Sequence, residues 1–184
     1  MRYIVFDTEF TSWEGSQENN WSKKGEYMEL VQIGALKIED GQIIDKFDVY
    51  IKPKINPILS NYFINLTGIT NQKIEKEGIE FIEALERFYK FTQNLRLYSY
   101  GNDYGIIKEN LKLNKISVNS KYYDKKWKAQ FLDFCDLLKG SNIDPTKYSS
   151  GTIYQAFNFK LDNHQVHNAL DDTYSLFLAS TKIF

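Results

Sequence analysis

The chain has one cysteine, three prolines, two histidines and two methionines among 184 residues. A single cysteine cannot close an internal disulfide, so Cys135 points to a reducing, cytoplasmic setting and is expected to fill core space. Three prolines and ten glycines are too few for a collagen-like or linker-like chain. No apolar run approaches the roughly 20 residues of a membrane helix. Asp7 interrupts the apolar opening Tyr3-Ile4-Val5-Phe6 where a signal peptide would continue, so neither a leader nor a membrane partner is expected. There is also no excess of positive charge. With 23 Lys and Arg against 24 Asp and Glu, the net charge is −1, and the global field that holds many proteins to nucleic acid is missing.

What is present suits one globular domain, residues 1–184. Apolar residues make up 42% and charged residues 26%, which excludes disorder, and aromatics are abundant at 16%. Arg2 to Phe6 reads as a buried central strand. Residues 11–25 are polar, carry Trp13 and Trp21, and read as a long loop. Tyr27 to Ile38 and Gln42 to Ile51 read as two strands joined at Asp40-Gly41, a strong hairpin signal. Helical spacing follows over 55–66 and 77–92. A strand is expected over 95–100, a helix over 103–113 and a short strand over 130–134 with a short helix to Lys139. Closing helices are expected over 152–159 and 166–183. Three antiparallel strands followed by alternating helices and strands predict a mixed five-stranded α/β sheet flanked by helices.

Three acidic constellations carry the chemistry. In Phe6-Asp7-Thr8-Glu9-Phe10, side-chain alternation puts Asp7 and Glu9 on one face, about 7 Å apart. Two such carboxylates on a buried strand repel and lose solvation, which a hard cation such as Mg²⁺ or Mn²⁺ relieves. The bland alternative is that the strand has ended and both acids are solvated. Asp103 follows a strand and Gly101, where ligand sites gather in α/β sheets. It is equally a good helix cap, unless Asn102 takes that role and frees it. In His164-Gln165-Val166-His167-Asn168-Ala169-Leu170-Asp171-Asp172, a histidine lies near acids and has the titration range of a general base. Positions 167 and 172 are about 140° apart on an ideal helix, so they converge only if His167 precedes the helix or lies in its first turn. Periodicity does not choose between Asp171 and Asp172.

Taken together, Asp-x-Glu on the first strand, an Asp after a later strand and His-x-Ala-x-x-Asp on the last helix resemble the DEDDh 3′-to-5′ exonucleases of the DnaQ-like, RNase T superfamily. Leu66-Thr67-Gly68-Ile69 resembles a turn of that family, including its ERI and histone-mRNA 3′-end branch. Lys125-Lys126-Trp127 is also similar to that branch. The resemblance selects Asp172 over Asp171 and implies a ribonuclease H-like fold. It implies two-metal phosphodiester hydrolysis with two Mg²⁺ or Mn²⁺ ions, releasing nucleoside 5′-monophosphates from single-stranded nucleic acid or a 3′ overhang, with RNA favoured over DNA. Asp7 would bridge both ions, Glu9 and Asp172 would complete one site, Asp103 would hold the other, and His167 would be the general base. Phe10 would lie beside the terminal nucleotide, with Leu66, Thr67 and Ile69 as a wedge against it, or else Leu66 and Ile69 pack in the core.

Setting those four carboxylates aside turns the formal −1 into +3 on the rest of the chain, so the balance does not exclude nucleic acid. The interleaved lysines and rings of 121–128 suit a single strand, or a plain solvated loop. Trp13 and Trp21 could stack on a base or fold back on the sheet. His164 is given no catalytic role. A non-catalytic nucleic-acid-binding module on the same fold is the first rival. The second is an aspartate-nucleophile phosphatase, whose Asp-x-Asp-x-Thr motif Asp7-x-Glu9-x-Thr11 resembles only in part.

Overall fold

The computed structural model describes every residue except 93 and 163. Its sheet has five strands in the order β3-β2-β1-β4-β5. These are β1 (Arg2–Phe10), β2 (Leu30–Glu39), β3 (Gln42–Tyr50), β4 (Leu97–Ser99) and β5 (Phe131–Asp133). β1, β2 and β3 form the expected antiparallel meander, and β4 and β5 run parallel to β1. Asp40 and Gly41 both take left-handed φ, of 49° and 76°, as a tight two-residue hairpin requires. The helices are α1 (Asn61–Thr67), α2 (Asn71–Glu77), α3 (Phe81–Thr92), α4 (Asp103–Leu113), α5 (Lys125–Lys128), α6 (Phe134–Gly140) and α7 (Ala169–Ile183).

Alternation along β1 divides the core into two layers. Ile4 and Phe6 pack with Leu85, Phe88 and Ile107 of α3 and α4. Tyr3 and Val5 pack with Phe134 and Leu176 of α6 and α7. Tyr3 to Phe6 are all buried, so the strand reads as a continuous apolar run rather than an alternating one. The same parity sends Asp7 and Glu9 toward the α7 face and Thr8 toward the α4 face. The strand does not end at Phe6. It continues through the acids to Phe10, where the register with β2 shifts by one residue, and such a bulge re-aims side chains.

Several boundaries differ from those expected. Helix α1 begins only after Ser60, whose hydroxyl accepts from the Phe63 N–H at 3.0 Å. The segment before it is held as a loop by Glu29, whose carboxylate accepts from the backbone N–H groups of Lys54, Ile55 and Asn56 at 2.7, 2.8 and 2.6 Å. Helix α2 was not expected; Thr70 caps it. Helix α3 starts at Phe81 because Ile79 is engaged in a bridge with Ile51. The segment over 153–157 is a 3-10 turn rather than an α-helix. Cys135 is partly exposed on α6 and does not fill the core.

Candidate active site

β1 and β4 are parallel neighbours, so their C-terminal ends lie side by side at one edge of the sheet. Helices α4 and α7 start there, on opposite faces. Asn102 caps α4, its side chain accepting from the Gly105 N–H at 3.1 Å. Asp103, the first helical residue, is thereby free of the cap. Its carboxylate accepts instead from the Thr8 hydroxyl, at 2.5 Å, across the end of β1. Asp172 lies in the first turn of α7. Helix α7 starts later than expected, so His167 precedes it, in a left-handed conformation with φ of 65°. That bend solves the angular problem of the spacing. Oxygen or nitrogen donors of Glu9, His167 and Asp172 all lie within 4.8 Å of one another. Asp7, Asp103 and Asp172 are 5%, 7% and 2% exposed.

The seating of α7 depends on residues whose roles were not expected. Gly34 is the β2 residue opposite Asp7, and a Cβ there would stand 2.3 Å from the Leu170 nitrogen. Only glycine lets the start of α7 approach the sheet this closely. Gln32, fully buried two residues before it, accepts from the Ala169 N–H at 3.0 Å and donates to Asp48 at 2.8 Å and to the Tyr50 hydroxyl at 3.2 Å. On the other side, Ser150 donates to Asp172 Oδ2 at 3.1 Å. A Cβ on Gly151 would stand 2.4 Å from Asp172 Oδ1. His164 donates from Nε2 to the Gly151 carbonyl at 2.6 Å and lies 3.8 Å from Asp172 Oδ1, so it braces the site from behind. Gln32 did leave a signal, as the one polar residue within the run Leu30 to Leu36. Ser150 and Gly151 left none.

The electrostatics of the cluster are those of uncompensated negative charge. Burial raises the Asp7 carboxyl well above its ordinary range, and the charges of Asp103, Asp172 and Glu9 raise it further. Glu9 is raised well above its range by burial and then by Asp172 and Asp103. Burial lifts Asp103 to about 6 against hydrogen bonds from Thr8 and Ser99, and Asp172 to about 7 against those from Ser150 and the His167 backbone. Asp172 Oδ1 is buried with no hydrogen-bond partner. A set of buried carboxylates that repel one another fits hard divalent cations, which take oxygen donors and relieve such repulsion. His167 has its pKa lowered by burial, which keeps the ring neutral and able to accept a proton.

The expected substrate-contact residues separate. Phe10 sits beside the cluster with its ring 5.4 Å from that of Trp21. Trp21 folds back onto the sheet end, donating from its indole N–H to the Thr11 carbonyl at 2.9 Å. Leu66 is 37% exposed, whereas Thr67 and Ile69 are 1% exposed. The side chains of these two are turned into the fold. Ile69 packs with Val31, Tyr50 and Phe63, and the Thr67 hydroxyl is committed to the Phe63 carbonyl at 2.9 Å and the Ile69 N–H at 3.0 Å. In the 121–128 segment, Tyr122 and Trp127 are core residues, and Asp124 and the four lysines face solvent.

With this geometry established, comparison with known proteins decides the family. The exonuclease family model of the RNase T type matches residues 4–178. The chain belongs to this family. It is 27% identical over 172 residues to the DNA polymerase III PolC-type of Clostridium perfringens, a match covering 92% of the chain and 10% of that protein. It is 33% identical over 116 residues to the 3′-5′ exonuclease DinG of Bacillus subtilis, covering 60% of the chain and 11% of that protein. The chain thus spans about a tenth of the length of these relatives. The nuclease domain of 3′hExo, a DEDDh family member, superposes with a TM-score of 0.78 at 16% identity, over 98% of this chain and 90% of that one. Exonuclease I of E. coli, in a complex with single-stranded DNA, superposes with a TM-score of 0.63 at 14% identity, over 99% of this chain and 40% of that one. These two likenesses establish the ribonuclease H-like exonuclease fold. The family membership displaces the phosphatase rival. Among the described residues, no helix is long and apolar enough to cross a membrane.

Proposed function

We propose that residues 1–184 act as one cytoplasmic 3′-to-5′ exonuclease domain that hydrolyses single-stranded nucleic acid or a 3′ overhang to nucleoside 5′-monophosphates. The observation that carries this reading is the convergence of four acids and one histidine at the ends of β1 and β4, every acid pushed toward its neutral form. Asp7, Glu9 and Asp172 would hold one divalent ion and Asp103, with Asp7, the other. Two Mg²⁺ or Mn²⁺ ions, when bound, supply Lewis-acid stabilisation of charge at the phosphoryl group. His167 accepts a proton from the attacking water. Thr8 holds Asp103 and Ser150 holds Asp172, so both carboxylates keep their aim. The water oxygen joins phosphorus as the bond to the 3′-oxygen of the upstream nucleotide breaks. Phe10 and Leu66 flank the terminal nucleotide. RNA is favoured over DNA, on the resemblance of Leu66 to Ile69 to the exoribonuclease branch; the DNA polymerase relatives make DNA the competing outcome. A complete set of acids argues against a non-catalytic binding module. The test is cleavage of an end-labelled strand with and without divalent ion, using Asp7→Ala as control. A wild-type protein that binds the strand without cutting it would favour the binding module.

A further inference from the structure

A groove of about 440 Å³ opens beside Asp103 at the ends of β4 and β5. Asn102, Tyr104, Phe131 and Lys128 line it, with one acid, Asp133, whose carboxylate is engaged by the Gly101 and Cys135 N–H groups. None of the proposed chemistry uses it. Its volume lies in the range of small-ligand sites, about 300–1,000 Å³. The rings of Tyr104 and Phe131 are 4.5 Å apart, and both are partly exposed. The segment that carries Lys128 also carries Lys125 and Lys126, and all three are exposed. Among the described residues none of the three has an ion pair, whereas Lys121 nearby is paired to Glu86 at 2.6 Å. Unneutralised cations beside partly exposed rings match a single strand, whose phosphates meet the lysines while its bases meet the rings.

The place of the groove in the sheet says which nucleotides it holds. Helix α1, which carries Leu66, packs against Val31 and Tyr50 on the β2–β3 side. The groove lies toward the opposite edge, past β4, with the acids between. The 3′-oxygen released by hydrolysis belongs to the upstream nucleotide, and of the four site acids Asp103 is the one whose chain neighbours, Asn102 and Tyr104, line the groove. We propose that this groove binds the nucleotides upstream of the scissile phosphate, with Lys128 on their backbone. The proposal rests on the exonuclease reading, which fixes the polarity of the strand.

The test compares wild type, Lys128→Glu and Lys128→Arg on an unphosphorylated dinucleotide and on strands of three, four and eight nucleotides. Lys46→Glu, on β3 at the far edge, is the matched charge control. The wild-type KM should fall from the dinucleotide to the longer strands. Lys128→Glu should lose most of that fall, about tenfold on the octamer, while Lys128→Arg keeps it. The log–log salt slope of octamer binding should shrink by about 0.7, the loss of one phosphate contact on a single strand. Lys128 is exposed and unpaired, so its melting temperature should not move. Binding of a labelled octamer to Asp7→Asn protein is measured in parallel by anisotropy. Equal octamer affinity and equal KM in wild type and Lys128→Glu would overturn the groove. No cleavage by wild type, with octamer binding still weakened by Lys128→Glu, would overturn the exonuclease reading and the strand polarity taken from it, while supporting the groove as a single-strand site.

Discussion

Replacing Asp103 with asparagine should stabilise the metal-free protein, and by an amount that depends on pH. Asp103 is 7% exposed and its carboxyl is lifted from 3.8 to about 6, first by burial. An acid whose folded-state pKa exceeds its unfolded value makes the folded state hold the proton more tightly, so stability falls as pH rises. The penalty is absent below 3.8, grows with pH, and is complete above about 6. The rise corresponds to about 3 kcal/mol. Asparagine keeps a carbonyl oxygen to accept from Thr8, so the principal change is the removal of charge. For a domain of this size, about 2–4 °C per kcal/mol applies, so Asp103→Asn should melt roughly 6–12 °C above wild type at pH 8 in chelator. At pH 3.5 the two should coincide. Saturating Mg²⁺ should then raise wild type more than the variant, since a ligand at 100 times its Kd adds about 2.7 kcal/mol. Thermal unfolding followed by circular dichroism reads all four conditions. Equal melting at pH 8, or a variant less stable at every pH, would refute the claim that the buried charge of Asp103 opposes folding.

Asp7→Ala should abolish turnover with little loss of stability, because it removes a repelled buried carboxylate; coincident activity and melting losses would argue for a structural role. His167→Ala should keep divalent-ion binding by calorimetry but lose several orders of magnitude in rate, in line with general-base contributions of about 10²–10⁴; an unchanged pH–rate profile would remove the base assignment. Gly34→Ala should cost about 1–3 kcal/mol through overpacking against Leu170 and slow turnover by displacing α7, checked by paired melting and rate measurements. Gln32→Leu should leave the Ala169 N–H and the Asp48 carboxylate without this partner, at a cost of about 1–3 kcal/mol; unchanged melting and rate would remove its positioning role.

The sequence exposed what depends on local pattern. Asp7 and Glu9 could be paired because strand parity is fixed by the chain itself, and the buried run before them put the pair at a sheet centre. The hairpin at Asp40-Gly41 followed from turn chemistry. Helix starts were less legible, because they are decided by distant partners. Residues 55–60 have helical spacing, yet Glu29, 25 or more residues away, holds their backbone open. The closing helix is periodic from Val166, but Asn168 caps it and His167 bends away, which only the contact with Gln32 and Gly34 explains. Ser150 and Gly151 were invisible for the same reason, since their role exists only where Asp172 arrives. The aromatic cluster misled in the opposite direction. Tyr122 and Trp127 look like stacking platforms in sequence, yet their rings close the core against Tyr89. Ile69 and Thr67 likewise serve packing, leaving Leu66 as the exposed side chain of its segment.

The most direct measurement is a time course on matched 5′-labelled single-stranded RNA and DNA with Mg²⁺ or Mn²⁺, beside Asp7→Ala and a chelated control. The account predicts a ladder descending from the 3′ end, faster on RNA and absent from both controls. Intact strands of both kinds, in the presence of protein shown to bind divalent ion, would contradict it.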